Sequence, residues 1–206
     1  MKIATIPVGL LETNCYLVFV EGSRTLYVID PGADAGEILR QVRQFDFDRA
    51  AILLTHAHVD HIAAAGEVAD GLGVDRVFLA PADHAFYRSP ENALPPYIDA
   101  AENLPEPADF EPNDDFSVIA LPGHTPGGSG FLFRETPALF AGDTIFAGSV
   151  GRTDLPGGDP DALLHSIRTG IYPLPDDLVI HPGHGPVTTV GHERHTNPYI
   201  QGSMDF

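Results

Sequence analysis

The apolar run Ala50-Ala51-Ile52-Leu53-Leu54 ends abruptly in Thr55-His56-Ala57-His58-Val59-Asp60-His61, and few folds accommodate such a junction. An uninterrupted apolar run of this length fits an interior strand covered on both faces. A strand that stays apolar until it meets imidazoles is leaving a core and entering a site, because buried ring nitrogens need partners. In an extended or turning backbone His56 and His58 point to the same side and can chelate one ion, while Asp60 and His61 face a neighbouring point. The string therefore predicts two adjacent metal ions.

Three further signals follow apolar stretches. They are Leu121-Pro122-Gly123-His124-Thr125-Pro126-Gly127-Gly128, Phe140-Ala141-Gly142-Asp143-Thr144 and Pro182-Gly183-His184-Gly185. In each, a glycine precedes the His or Asp, which lets the backbone turn tightly and approach a metal closely. Together with the first string they supply five His and two Asp, enough for two borderline-soft divalent ions, zinc first, with iron or manganese as alternatives. Asp143 is the choice for a bridge, since each carboxylate oxygen can bind one metal. Two ions would bring a shared water close to ionising at neutral pH and supply hydroxide as nucleophile, so no Ser or Cys attacker is required.

Around these motifs the chain alternates strands and helices. Lys2 to Ile6, Thr13 to Val20 and Thr25 to Ile29 read as strands in two hairpins, the last ending in the turn signal Asp30-Pro31-Gly32. Ile38, Leu39, Val42 and Phe45 place a helix over residues 33–45. A strand at 50–54, an Ala-rich helix at 61–71 and a strand at 76–80 complete a β-α-β-α-β stretch, which favours sheets covered by helices. Residues 89–113 are Pro-rich and acidic, and read as a lid or surface loop with a short helix at 97–103. Strands follow at 116–121, 130–134 and 138–141, then a helix at 159–169 capped by Asp159, and a strand at 178–180. One domain over 1–206 is expected.

Composition narrows the function. With 43% hydrophobic and 19% charged residues the chain is neither disordered nor membrane-spanning by composition, and no signal peptide is read at its start. A net charge of −18 opposes nucleic-acid and anionic-membrane partners, and no basic patch offsets it. The lone Cys15 reads as a small core residue in a cytoplasmic protein. His84, His165, His192 and His195 carry no signal, and His181 reads as turn packing.

At the residues quoted above, the sequence resembles the metallo-β-lactamase superfamily, and the likeness spans nearly the whole chain. The resemblance implies an α/β fold, the αββα sandwich, in which two mixed β-sheets pack face to face with helices on both outer faces. It implies that His56, His58 and His124 hold one metal, that Asp60, His61 and His184 hold the second, and that Asp143 bridges them. Residues 141–146 and Gly148-Ser149-Val150-Gly151-Arg152-Thr153-Asp154 resemble the glyoxalase II (hydroxyacylglutathione hydrolase) branch, as do Thr189-Val190-Gly191 and Thr196-Asn197-Pro198-Tyr199. That branch implies a small-molecule thioester substrate linked to glutathione, with Asp60 and Asp143 catalytic and Arg152 at a substrate-contact position. Longer members continue into a helical domain with basic glutathione contacts, and no such domain is expected in the 22 residues after His184.

Leaving-group chemistry points the same way. A thiolate departs without a dedicated acid, whereas an amine must be protonated, and no extra acid stands near the motifs. The rival on the same fold is a persulfide dioxygenase with one iron on His56, His124 and Asp143. β-Lactam hydrolysis, RNA processing and a non-catalytic metal-binding module rank below it.

Overall fold

The computed structural model describes residues 1–201. Strands β1 (Lys2–Val8), β2 (Thr13–Val20) and β3 (Thr25–Ile29) form an antiparallel meander, and β4 (Arg49–Leu53), β5 (Arg76–Phe78) and β6 (Glu106–Ala108) extend it with parallel neighbours in the order β1-β2-β3-β4-β5-β6. The second sheet takes β7 (Phe116–Ala120), β8 (Ser129–Phe133), β9 (Ala138–Gly142), β12 (Val179–Pro182) and β13 (Thr188–Thr189), in the order β13-β12-β9-β8-β7. Only the β9–β12 pair in it is parallel. A separate hairpin joins β10 (Ile145–Phe146) to β11 (Ser149–Val150).

The period-2 alternation of the strands explains the layering. In β2, Tyr16, Val18 and Val20 face Phe131, Phe133 and Phe140 of the second sheet, with the Tyr16 and Phe140 rings edge to face at 4.9 Å. Cys15, Leu17 and Phe19 point the other way, into a core shared with α1 (Ala35–Val42), α2 (Val59–Ile62), α3 (Ala65–Leu72) and α4 (His84–Tyr87). A third core lies outside the second sheet. There Leu121, Leu139 and Ile180 meet α5 (Pro160–Ser166), α6 (Val190–Thr196) and α7 (Pro198–Gln201) through Leu163, Val190 and Ile200. Three cores between four layers make this the αββα sandwich the sequence implied.

Two expectations change. The helix over 61–71 is two short pieces, α2 and α3, broken at 63–64, where the Ala64 amide donates out of the helix to the Pro31 carbonyl at 3.0 Å. No helix forms at 97–103. Residues 94–98 instead close a tight turn through a Leu94–Ile98 bridge, in which the Tyr97 and Ile98 amides both donate back to the Leu94 carbonyl, at 2.9 and 3.1 Å. Buried Asn92 pins this segment, donating from Nδ2 to the Tyr87 carbonyl (3.0 Å) and accepting at Oδ1 from the Ala101 amide (3.3 Å). The same 89–113 stretch also contributes β6, whose Pro107 is tolerated at a sheet edge. Asp159 caps α5 as expected, accepting from the amides of Asp161 and Ala162, and the helix then widens into a π turn over Ile167–Ile171.

Candidate metal centre

Loops from both sheets converge at one end of the sandwich. Asp30 follows β3, His56 and His58 follow β4, Asp60 and His61 lie in α2, His124 lies between β7 and β8, and Asp143 and His184 follow β9 and β12. Backbone bonds stitch the two sheets together here, Ser129 N to Thr55 O at 2.9 Å and Asn14 N to Gly183 O at 2.7 Å. All seven residues predicted from the motifs are brought into one cluster.

Their donor atoms fall around two points. His56, His58 and His124 each offer a nitrogen within 4.8 Å of the others, and so do Asp60, His61 and His184 with a carboxylate oxygen among them. Asp143 stands between. Its Oδ1 lies 3.4 Å from His61 Nε2, while its Oδ2 lies 3.5 Å from His184 Nε2 and 3.7 Å from His124 Nε2. Ligands on a tetrahedral ion with bonds of about 2.1 Å are about 3.4 Å apart. The second group matches that spacing, with Asp60 Oδ2 at 3.2 Å from His184 Nε2 and 3.5 Å from His61 Nε2. In the first group His58 Nδ1 and His124 Nε2 are 2.8 Å apart, a contact two lone pairs tolerate only with a proton or cation between them.

The outer hydrogen bonds settle which nitrogen faces inward. His124 Nδ1 donates to the Arg152 carbonyl (2.7 Å), His184 Nδ1 to the Leu11 carbonyl (3.0 Å) and His61 Nδ1 to Asp30 Oδ2 (2.9 Å). His56 Nδ1 donates to Thr55 Oγ1 (3.0 Å), whose own proton goes to Asp30 Oδ2 (2.6 Å). These acceptors fix Nδ1 as the protonated nitrogen of all four rings and aim Nε2 into the cluster. His56 Nε2, His61 Nε2 and Asp143 Oδ1 are buried there with no hydrogen-bond partner, as is His58 Nε2. Buried polar atoms left bare are rare and costly, and the donor set fits divalent ions.

Among the protein groups alone, the two halves differ in charge. Burial, then the neighbouring histidines, pushes His56 far down and His58 down to about 3, so both are neutral and ready to donate lone pairs. Burial also opposes a charge on His61, but Asp143, Asp60 and Asp30 outweigh it and raise that ring. Asp143 is correspondingly held low, burial being overcome by His61, His124 and His184.

Glycine makes room where the motifs placed it. A Cβ on Gly183 would lie 2.0 Å from Asp143 Oδ1, and Gly142 takes φ +51 so that Asp143 can turn inward.

Two carboxylates went unseen in the sequence. Asp30, buried and at φ 52, accepts from Thr55 N (2.8 Å) at Oδ1 and from Thr55 Oγ1 and His61 Nδ1 at Oδ2, so both its oxygens are engaged in holding Thr55 and His61, although it also lies within reach of a common point with His56 and His61. Its Asp-Pro-Gly context read as an ordinary turn. Asp83, also buried, accepts from Ala57 N, Thr125 Oγ1 and Gly127 N and so ties the His56 loop to the His124 loop; no motif marked it. Arg152 lies at the mouth with its guanidinium on Asp154 through two bonds of 2.7 and 2.8 Å. His181 stacks on Phe140 at 4.7 Å, a packing role, and Cys15 is buried in the helix-side core. The described residues include no helix long and apolar enough to cross a membrane.

Known proteins resemble the chain over nearly its whole length. Residues 8–184 match the model of the metallo-beta-lactamase superfamily. The chain is 37% identical to a hydroxyacylglutathione hydrolase GloC of Haemophilus influenzae, over 97% of this chain and 98% of that one. It resembles the solved structure of the B3 metallo-beta-lactamase BLEG-1, with TM-score 0.86 and 33% identity over 98% of this chain and all of the other. It also resembles TTHA1623 in a di-iron-bound form, with TM-score 0.83 and 37% identity over 95% and 99%.

Proposed function

Because the chain belongs to the metallo-beta-lactamase superfamily, we propose that it is a two-metal hydrolase of thioesters, of the S-2-hydroxyacylglutathione type. The observation that carries the reading is the convergence of seven donors on two points, with the inward Nε2 atoms of His56 and His61 buried and bare. His56, His58 and His124 would hold one ion, Asp60, His61 and His184 the other, and Asp143 both. Divalent ions bound there supply hydroxide at neutral pH and polarise the substrate carbonyl.

The chain's own groups do the rest. Asp60 Oδ2, fixed by the Thr13 hydroxyl at 3.0 Å, gives the second group a second anion beside Asp143. Arg152 is exposed, and its pairing with Asp154 is the weak surface kind, so a substrate carboxylate can take Asp154's place. Among the described residues lining the mouth, no side chain beyond the donor cluster is placed to protonate an amine, which favours a thiolate leaving group. β-Lactam hydrolysis is the second reading, carried by the 33% identity to a protein described as a β-lactamase.

Turnover of S-lactoylglutathione, of a chromogenic cephalosporin and of glutathione persulfide, measured with metal content, separates the readings. The expected result is thioester cleavage with two metals per chain, abolished by chelation. Oxygen uptake with persulfide and one iron per chain would overturn it, as would lactam cleavage without thioester cleavage.

A further inference from the structure

Two cavities meet at the centre, and they differ in kind. The mouth, about 340 Å3, is lined by Leu11, Leu94, Phe146, Val150, Leu155 and Arg152 around the donor side chains. A second cavity of about 250 Å3 lies beyond Leu11 and Asp60, which line both. Small and apolar side chains, among them Val8, Ala33, Ala35, Ala63 and Ile98, make up much of its wall, with Thr13, Asp34, Asp60 and Glu67 beside them. The tight turn described above straddles the two, Leu94 on the mouth and its bridge partner Ile98 on the side cavity.

Charge divides them as well. Arg152 is the one Lys or Arg among the described residues lining either, whereas the side cavity carries the carboxylates Asp34 and Glu67. Asp34 is turned to the Gly9 amide, accepting at 2.8 Å. A thioester has two arms. An arm bearing carboxylates is repelled from the side cavity and drawn to Arg152, so the cavity suits an uncharged apolar arm.

We propose that the side cavity is an acyl-chain pocket, and that the preferred substrates carry 2-hydroxyacyl groups longer than lactoyl with an apolar tail. This rests on the thioester reading above. The thiol arm lies along the open mouth toward Arg152. The acyl tail turns behind Leu11 against Ala33, Ala63 and Ile98, where each methylene leaves water.

The experiment compares kcat/KM of the metal-loaded enzyme for S-lactoylglutathione and S-2-hydroxyhexanoylglutathione, which share the thiol. Burial of a methylene is worth about fourfold, so three added carbons give a preference of at least about tenfold for the longer substrate. Ala33→Leu, which fills the cavity, and Ile98→Asp, which places a carboxylate at its rim on the surface turn, each bring that preference down to within about threefold of unity. Calorimetric binding of 2-hydroxyhexanoate against lactate shows the same ordering, lost in the same variants. Lactoyl cleavage with no gain for the longer chain, or a gain unchanged by both folded variants, overturns the pocket and leaves the thioester reading intact. If neither thioester is cleaved, both fall.

Discussion

Asp30 Oδ2 accepts the Nδ1 proton of His61 at 2.9 Å while the same oxygen takes the Thr55 hydroxyl proton at 2.6 Å, so one buried carboxylate orients both His61 and, through Thr55, His56. Its backbone stands in the left-handed region, φ 52, which aspartate, like asparagine, adopts more readily than most side chains. Asp30→Asn keeps the shape but removes the anion and puts an amide beside two donors. The expected outcome is a 10- to 100-fold loss in metal affinity or in kcat/KM, the usual cost of losing such a supporting partner. Metal titration followed by competition with a chelator measures it; affinity within twofold of the parent would show that Asp30 only packs.

Gly183 offers a sharper steric test. Added to it, a Cβ would sit 2.0 Å from Asp143 Oδ1 and 2.8 Å from His61 Cε1. Its φ is not in the positive region, so alanine is compatible with the backbone and the damage falls on Asp143. Gly183→Ala is expected to lower metal content and kcat/KM by at least about tenfold, one unit of about 1.4 kcal/mol, with a smaller effect on chemical denaturation of the metal-free chain. Equal loss in both would make the glycine a folding residue.

Those two residues also mark what could be read from the sequence. Gly183 was legible because Pro-Gly-His places it beside a ligand, and the motifs holding all seven residues were legible because each follows a strand whose apolar pattern was clear, Asp60 and His61 lying in the short helix just after β4. Asp30 was not legible, since Asp-Pro-Gly spells a turn whether or not its carboxylate is buried. Asp83 was hidden for a different reason: its three partners, Ala57, Thr125 and Gly127, are remote in sequence and meet only when the sheets pack. Prolines misled in 89–113, where they suggested an irregular loop although Pro107 lies in an edge strand. The two cavities come from the crossing of that segment with residues 8–11, which no local pattern encodes.

His181 gives a pH dependence separate from the ligands. Its ring stacks on Phe140 and meets Tyr16 edge to face at 5.4 Å, and burial pushes it from 6.5 down to about 4. Since the folded value lies below the unfolded one, the unfolded chain takes up the proton first as pH falls. Its contribution is intact above about 6.5, declines between there and about 4, and levels off below. His181→Phe keeps the stack without the titration. Denaturant midpoints of the metal-free proteins are expected to diverge on acidification through that window, the variant losing less; parallel curves would mean that the folded ring protonates freely.

Asp60 tests the two-ion reading itself. Its Oδ2 is shared by Thr13 Oγ1 at 3.0 Å, His184 Nε2 at 3.2 Å and His61 Nε2 at 3.5 Å, so it is the anion the second group owns in addition to Asp143. Asp60→Asn retains the hydrogen-bonding outline and deletes that charge, leaving His56, His58 and His124 untouched. The expected result is metal content falling from two per chain toward one and kcat/KM for S-lactoylglutathione falling at least about a hundredfold, the scale of losing a group that stabilises developing charge. Turnover at the parental rate with one metal retained would remove the second ion from the reaction, and His61 and His184 would then serve only to position Asp143.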